Sequence, residues 1–188
     1  SKLGKNNATG KTKAGAAWVV FMDNDGTVKS QQEISGDDGG LAYSPIRNEF
    51  FGFGIAGPGD IDGDGTPDLV IGMDGYEVAA ARTGSGGVMV ALLNSDGTVK
   101  AETILSHNLN GMQTLSKNDG FGISVDAMGD LDANGVGDIV VGAWKDHNQD
   151  YGSAWIIYLN ADGSASGVGK IGHQLSNFVG PLSRRDYM

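Results

Sequence analysis

The sequence contains no cysteine, which excludes both a disulfide framework and a metal site built on thiolates. It also lacks an apolar run near the ~20 residues that a membrane-spanning helix needs, so we expect no membrane insertion. Basic residues are few, because 13 lysines and arginines stand against 23 aspartates and glutamates, for a net charge of −10. We therefore expect no nucleic-acid partner, since phosphate binding needs a basic face. The acidic balance suits a cation.

Helical periodicity and catalytic motifs are also missing. No stretch shows a 3.6-residue apolar period with helix caps, and no H-E-x-x-H or G-x-S-x-G spacing occurs. Glycine is abundant, with 32 residues that cluster between short β-prone runs, as in a protein with many tight turns. The sequence therefore predicts an all-β protein that is not an enzyme.

Two sequence elements alternate along the chain. An apolar run that ends in a D/N-x-D-G turn occurs at 16–29, 87–100 and 153–166. A Phe-Gly segment followed by an aspartate-rich loop and a second apolar run occurs at 51–73 and again, 70 residues later, at 121–143. The repeating unit is therefore about 70 residues long.

Each complete unit holds four predicted strands. They are expected at 51–56, 68–73, 87–93 and 98–105, and then at 121–127, 138–143, 153–159 and, more weakly, 168–174. Residues 1–35 supply only the last two strands of a preceding unit. The hairpin runs are apolar on both faces, so we expect these strands to be covered on both sides by other sheets.

Tandem four-stranded units of this size are typical of β-propeller blades. We predict a polar N-terminal stretch at 1–14, blade repeats within 15–174 and a C-terminal tail at 175–188, the repeats being a half blade at 15–35 and blades at 51–105 and 121–174. Closed propellers usually have four to eight blades, so the ring is incomplete in one chain. The chain is a fragment, or completes a ring by self-association, or stacks into an open array. The incomplete ends favour the first or the third.

The loop of the first complete unit predicts a calcium site. Its aspartates stand at positions 1, 3, 5 and 9, with a backbone carbonyl at position 7, and the predicted ligands are Asp60, Asp62, Asp64, Thr66 and Asp68. Gly63 and Gly65 allow the backbone to curl tightly. Calcium binds six to eight oxygens, so carboxylates pointing at one centre suit it, and the ion offsets their mutual repulsion.

The second unit repeats this loop with two changes. Its predicted ligands are Asp130, Asp132, Asn134, the carbonyl of Val136, and Asp138. Asn134 keeps an oxygen but removes one charge, and Ala133 replaces the glycine of position 4. We therefore expect two calcium sites, of which the first is the stronger.

These loops have two other interpretations. An EF-hand needs a bidentate glutamate at position 12, where this chain has Ile71 and Val141. Plain polar turns between strands are the remaining alternative, and the recurrence of the same positions favours calcium. The separate D/N-x-D-G sequences lack further ligands, so we predict simple hairpin turns at Asp25, Asp96 and Asp162.

In these motifs the chain resembles the FG-GAP repeat family, whose repeats form the blades of the integrin alpha-subunit propeller. The resemblance covers about residues 15–170 and rests on Phe51-Gly52, Phe121-Gly122, the two aspartate loops and the runs "DLVIGM" and "DIVVGA". The usual "GAP" ending stands here as "IGM" and "VGA", and the units are fewer than the family's seven. The resemblance implies a blade array, structural calcium, an extracellular or cell-surface location, and protein or extracellular-matrix partners.

We therefore expect a calcium-stabilised, non-catalytic extracellular module of adhesion or surface assembly. Two alternatives stay open: a filament or sheath subunit that associates through incomplete blades, and a non-catalytic accessory region of a secreted hydrolase. Asn7-Ala8-Thr9 is an N-glycosylation sequence, which makes a glycoprotein a further expectation.

Overall fold

The computed structural model describes residues 14–78, 84–146 and 151–173, which form ten β-strands in three antiparallel sheets. The first sheet holds β1 (Ala17–Met22) and β2 (Val28–Ile34). The second holds β3 (Ile55–Gly59), β4 (Asp68–Met73), β5 (Gly87–Leu93) and β6 (Val99–Ser106). The third holds β7 (Phe121–Gly129), β8 (Asp138–Ala143), β9 (Ser153–Leu159) and β10 (Ala165–Gly172). The predicted all-β fold is confirmed.

Strands that follow one another in the chain are also neighbours in each sheet. The two four-stranded sheets have the orders β3-β4-β5-β6 and β7-β8-β9-β10, and β1 pairs with β2 as β5 pairs with β6. This is a half blade followed by two blades, and within the described ranges the sheets do not close into a ring. None of these residues forms a helix long and apolar enough to cross a membrane. Asn7 and the predicted tail at 175–188 lie outside the described residues.

The predicted strand at 51–56 is wrong in its start, because β3 begins only at Ile55. Positive φ angles at Phe50 and Gly52, 56° and 85°, turn the chain just before it. Phe51 instead forms an isolated parallel bridge to Gly15, next to the preceding sheet. Phe51 and Gly52 therefore join neighbouring blades rather than opening a strand, whereas Phe121 both bridges to Gly86 and begins β7.

The last predicted strand, 168–174, is displaced in the opposite direction, toward an earlier start. β10 begins at Ala165, which pairs with Leu159 directly after the hairpin turn, and it ends at Gly172. A tight turn lets the two strands pair at once, so the strand starts earlier than the weak apolar pattern of its sequence suggests.

The core lies between the sheets. On β5, Val88, Val90 and Leu92 belong to the cluster that packs toward the third sheet. The alternate residues of β5, Met89, Ala91 and Leu93, belong to a second cluster that packs toward the first sheet. Every residue of β5 is buried, so the prediction of a strand covered on both faces is confirmed for this hairpin run.

The same prediction is wrong for β1. Trp18, Val20 and Met22 are 36%, 45% and 54% exposed, whereas Ala17 on the opposite face is buried. In β9, buried residues alternate with half-buried ones. The physical reason is that the described sheets form a stack, and only the middle sheet has a neighbour on each side.

Two candidate metal centres

Both aspartate-rich loops connect the first and second strands of a blade. The first loop joins β3 to β4, and the pair Gly59 and Asp68 closes its base. The second joins β7 to β8, and Gly129 and Asp138 close its base in the same register. The two loops are therefore equivalent in position within their blades.

Asp68 anchors the first loop to the edge of the core. Its Oδ2 accepts a hydrogen bond from the Ile61 amide at 2.7 Å, and its Oδ1 accepts one from the Leu93 amide at 2.8 Å. The side chain is buried, and the burial raises the pKa of the carboxyl, although these hydrogen bonds oppose the rise. The loop is thereby tied to the end of β5.

Asp138 makes the matching contacts in the second loop. Its Oδ2 accepts a hydrogen bond from the Leu131 amide at 2.7 Å, and its Oδ1 accepts one from the Leu159 amide at 3.0 Å. Asp138 is fully buried. Position 9 is thus a structural anchor in both loops, whatever else it binds.

The carboxylate at position 1 holds the curl of each loop. Asp60 accepts hydrogen bonds from the amides of Gly63 at 2.8 Å and Gly65 at 2.7 Å. Asp130 accepts them from Asn134 at 3.1 Å and Gly135 at 2.9 Å. Backbone donors therefore wrap each of these carboxylates, as both a metal loop and a polar turn require.

Positions 1, 3 and 9 converge in both loops. One carboxylate oxygen from each member lies within 4.8 Å of the others, and the sets are Asp60, Asp62 and Asp68, and Asp130, Asp132 and Asp138. Asp62 Oδ1 is buried and has no hydrogen-bond partner within the described ranges. A buried acceptor without a partner is costly, so this donor set fits a divalent cation.

Positions 5 and 7 are arranged differently. Asp64 is not a member of the converging set, and its Oδ1 accepts a hydrogen bond from the Thr66 amide at 2.7 Å. Asn134 Oδ1 accepts one from the Val136 amide at 2.7 Å, and Asn134 Nδ2 donates to the Leu159 carbonyl at 2.9 Å. The carbonyls of Thr66 and Val136 stay predicted ligands.

Lys100 is a member of the first centre that the sequence patterns did not indicate. Its Nζ lies 2.7 Å from Asp62 Oδ2 and also contacts Asp64 Oδ2. Hydrogen bonds to these aspartates raise the pKa of Lys100, and the bond from Lys100 lowers the pKa of Asp64. Lys100 stands on β6, 36 residues after Asp64, so only the folding of the hairpin beside the loop brings them together.

The D/N-x-D-G sequences form hairpin turns, as predicted. In each, an aspartate Oδ1 accepts hydrogen bonds from the amide and the hydroxyl of the residue two positions later, and the pairs are Asp25 with Thr27, Asp96 with Thr98 and Asp162 with Ser164. These hydrogen bonds lower the pKa of all three carboxyls, with the hydroxyl bond as the largest cause.

The structure also contains an apolar cleft that the sequence patterns did not indicate. Phe50, Phe53, Ile123 and Trp144 line a space of about 410 Å³ together with Asp74. Burial raises the pKa of Asp74 to about 6, and its Oδ1 has no hydrogen-bond partner in the described part of the chain. The walls come from segments of two blades, which no local pattern could bring together.

The fold and the paired loops define a protein of tandem propeller-type blades with acidic loops, and comparison with known proteins agrees. The chain is 32% identical to integrin alpha-3 of Cricetulus griseus over 138 residues, 73% of this chain and 12% of the relative. It is 33% identical to integrin alpha pat-2 of Caenorhabditis elegans over 134 residues, 71% of this chain and 10% of the relative. It is 30% identical to integrin alpha-PS2 of Drosophila melanogaster over 113 residues, which are 58% of this chain and 8% of the relative.

These matches confirm the resemblance of the blades to an integrin alpha-like, FG-GAP-type repeat. No protein-family model matches the chain. The matched region spans only 8 to 12% of the length of these curated relatives.

Proposed function

We propose that this chain is a calcium-stabilised, non-catalytic extracellular module that contributes blades to an adhesion or surface-assembly protein. The observation that carries the proposal is that one geometry occurs twice. In both loops the carboxylates of positions 1, 3 and 9 lie close together, and the one at position 9 is hydrogen-bonded to the end of the third strand of the blade. Its similarity to integrin alpha subunits supports the adhesion context and the cell-surface location.

Each loop would hold one calcium ion as a structural brace. The proposed ligands are the five of the first loop and the five of the second: Asp60, Asp62, Asp64, the carbonyl of Thr66 and Asp68, and Asp130, Asp132, Asn134, the carbonyl of Val136 and Asp138. By loop charge alone the first site is the stronger, because Asn134 replaces a carboxylate. When bound, the ion supplies the positive charge that these oxygens share, and the chain supplies the curl that aims them.

The energetic effect of such an ion is large for a fold of this size. A site with a dissociation constant of ~10 μM, in ~1 mM calcium, is stabilised by about 2.7 kcal/mol. The whole margin of a typical domain is ~5–15 kcal/mol. Extracellular calcium concentrations would therefore keep even modest sites filled.

The interaction role is supported by exposed apolar surface. The cleft of Phe50, Phe53 and Trp144 offers aromatic walls beside a carboxylate, and such surfaces are typical of protein contacts. We propose a protein or extracellular-matrix partner there. The exposed side of β1 favours a second role, self-association through the incomplete blade, as in a filament or sheath subunit.

Thermal unfolding in EGTA, in excess calcium and in excess magnesium tests the calcium sites. We expect calcium to raise the unfolding temperature by about 5–10 °C per filled site and magnesium to raise it much less. Asp60→Asn and Asp130→Asn should each remove part of that shift. Asp96→Asn, in a hairpin turn, is the matched control and should leave the calcium shift intact. Equal unfolding temperatures in EGTA and calcium would contradict the proposal.

A further inference from the structure

Lys100 places a positive charge inside the first aspartate loop. The ammonium group contacts Oδ2 of Asp62, at position 3 of the loop, and Oδ2 of Asp64, at position 5. The lysine follows the Asp-Gly-Thr-Val turn of the β5–β6 hairpin, whose strand β5 is already tied to the loop through Asp68 and the Leu93 amide. The lysine is thus held where the loop needs a cation.

The ammonium group neutralises only part of the negative charge of the loop carboxylates. It binds Asp62 Oδ2, while Asp62 Oδ1 stays buried without a partner in the described residues. It changes the formal net charge of the loop from −4 to −3, which is the net charge of the second loop. A divalent ion among Asp60, Asp62 and Asp68 would reach the oxygens that the lysine leaves uncompensated.

Among the described residues, no lysine or arginine forms an ion pair with the second loop. Ser166 stands at the place of Lys100 in the corresponding hairpin, and its hydroxyl donates to the Tyr158 carbonyl at 3.2 Å. Asn134 instead bridges to the neighbouring strand through the Leu159 carbonyl. The two loops therefore have the same converging carboxylates, but in the described part of the chain only the first has a lysine ammonium group in contact with its aspartates.

We propose that Lys100 is a tethered counter-cation that calcium must displace from the first loop, so that this site binds calcium more weakly than its four carboxylates imply. The inference rests on the proposed calcium sites. The lysine side chain is 25% exposed, so it can swing into solvent when the ion enters. Without calcium it holds the loop together; with calcium, like-charge repulsion from the ammonium opposes binding. Loop charge alone then overstates the advantage of the first site over the second.

The test is calorimetric titration with calcium in an Asp130→Asn background, which leaves the first loop as the measured site. Lys100→Met keeps the length of the side chain and removes its charge, and should tighten calcium binding by about tenfold. Lys100→Arg keeps the charge and should bind calcium as the parent does. Lys29→Met is the matched control for net charge, because Lys29 follows the same Asp-Gly-Thr-Val sequence in the first hairpin, and it should have no effect.

Thermal unfolding gives a second readout, because the effect of Lys100→Met on the unfolding temperature should differ between EGTA and calcium. Lys100→Met should lower the unfolding temperature in EGTA, where the loop loses its counter-cation, and should leave it equal or higher in calcium. A merely structural lysine would lower it in both buffers. If the variant does not fold in EGTA, its affinity is measured from the calcium-loaded protein by chelator competition, with Lys100→Gln as a second neutral variant.

The outcomes separate the inference from the proposed function. Unchanged or weaker calcium binding in Lys100→Met and Lys100→Gln, while the parent binds calcium, overturns the role of Lys100 and leaves the sites intact. An absence of calcium binding in the unsubstituted chain overturns the proposed function, and the inference fails with it.

Discussion

Position 4 of the two aspartate loops is occupied by Gly63 in the first and by Ala133 in the second. Both residues adopt positive φ, 76° and 61°, a region where a Cβ atom is strained and glycine is not. No atom lies within 4 Å of the place where a Cβ on Gly63 would stand. The two loops therefore share this backbone conformation, and they differ in the strain that it imposes on alanine and not on glycine, rather than in packing.

We expect Ala133→Gly to raise the free energy of unfolding by about 0.5–1 kcal/mol, because relief of the strained φ outweighs the added flexibility of the unfolded chain. The reciprocal change, Gly63→Ala, should lower it by a similar amount. Urea denaturation in EGTA measures both without a contribution from calcium. Shifts of the same sign in the two variants would contradict the assignment of strain to this position.

Among the elements, the connection between blades depends on a glycine that faces a phenylalanine carbonyl. Gly15 and Gly86 form isolated parallel bridges to Phe51 and Phe121. A Cβ on Gly86 would lie 2.0 Å from the Phe121 carbonyl oxygen, and one on Gly15 would lie 1.9 Å from that of Phe51. Both glycines also have positive φ, 88° and 96°. Only glycine allows the backbones of adjacent blades to approach this closely.

Gly86→Ala should therefore lower the free energy of unfolding by more than about 3 kcal/mol, since backbone strain and a clash with main-chain atoms combine. Gly26→Ala is the control, because Gly26 has nearly the same φ, 85°, and nothing within 4 Å of its Cβ position. It should cost about 1 kcal/mol. Chemical denaturation compares the two, and equal losses would show that the close approach between blades is not needed.

For the molecule as a whole, the outer face of the first sheet is where exposed large apolar side chains gather within the described residues. Trp18, Val20, Met22 and Val28 are between 36% and 57% exposed. They share one face of β1 and β2, because Met22 pairs with Val28. A β-sheet with an apolar outer face and an unpaired edge tends to pack against another sheet.

We expect the isolated chain to self-associate through this face. Light scattering should show an average mass that rises with protein concentration, and Val20→Lys should weaken the association at least tenfold by placing a charge within the apolar face. Ile46→Lys is the control, because Ile46 is as exposed as Val20, at 45%, and belongs to neither strand. A monomer at every concentration would contradict this prediction.

Apolar alternation and internal repetition in the sequence were sufficient to predict most of the strands of the fold. The strands predicted at 68–73, 87–93, 138–143 and 153–159 have those bounds in the structure, because short apolar runs bounded by glycine or aspartate pair locally with the next run. Of the loop residues, those at positions 1, 3 and 9 lie close together in both loops, and their role as calcium ligands stays a prediction. Local sequence carries this information because each loop is closed by its own flanking strands.

What depended on distant segments could not be predicted in this way. Phe51 joins one blade to the next instead of opening a strand, and Trp18 faces solvent although its run matches that of the buried β5. Lys100 enters the first aspartate loop from another strand. In each case the outcome depends on which sheet or strand stands alongside, and that neighbour is chosen by packing between blades and not by the residues of the segment itself.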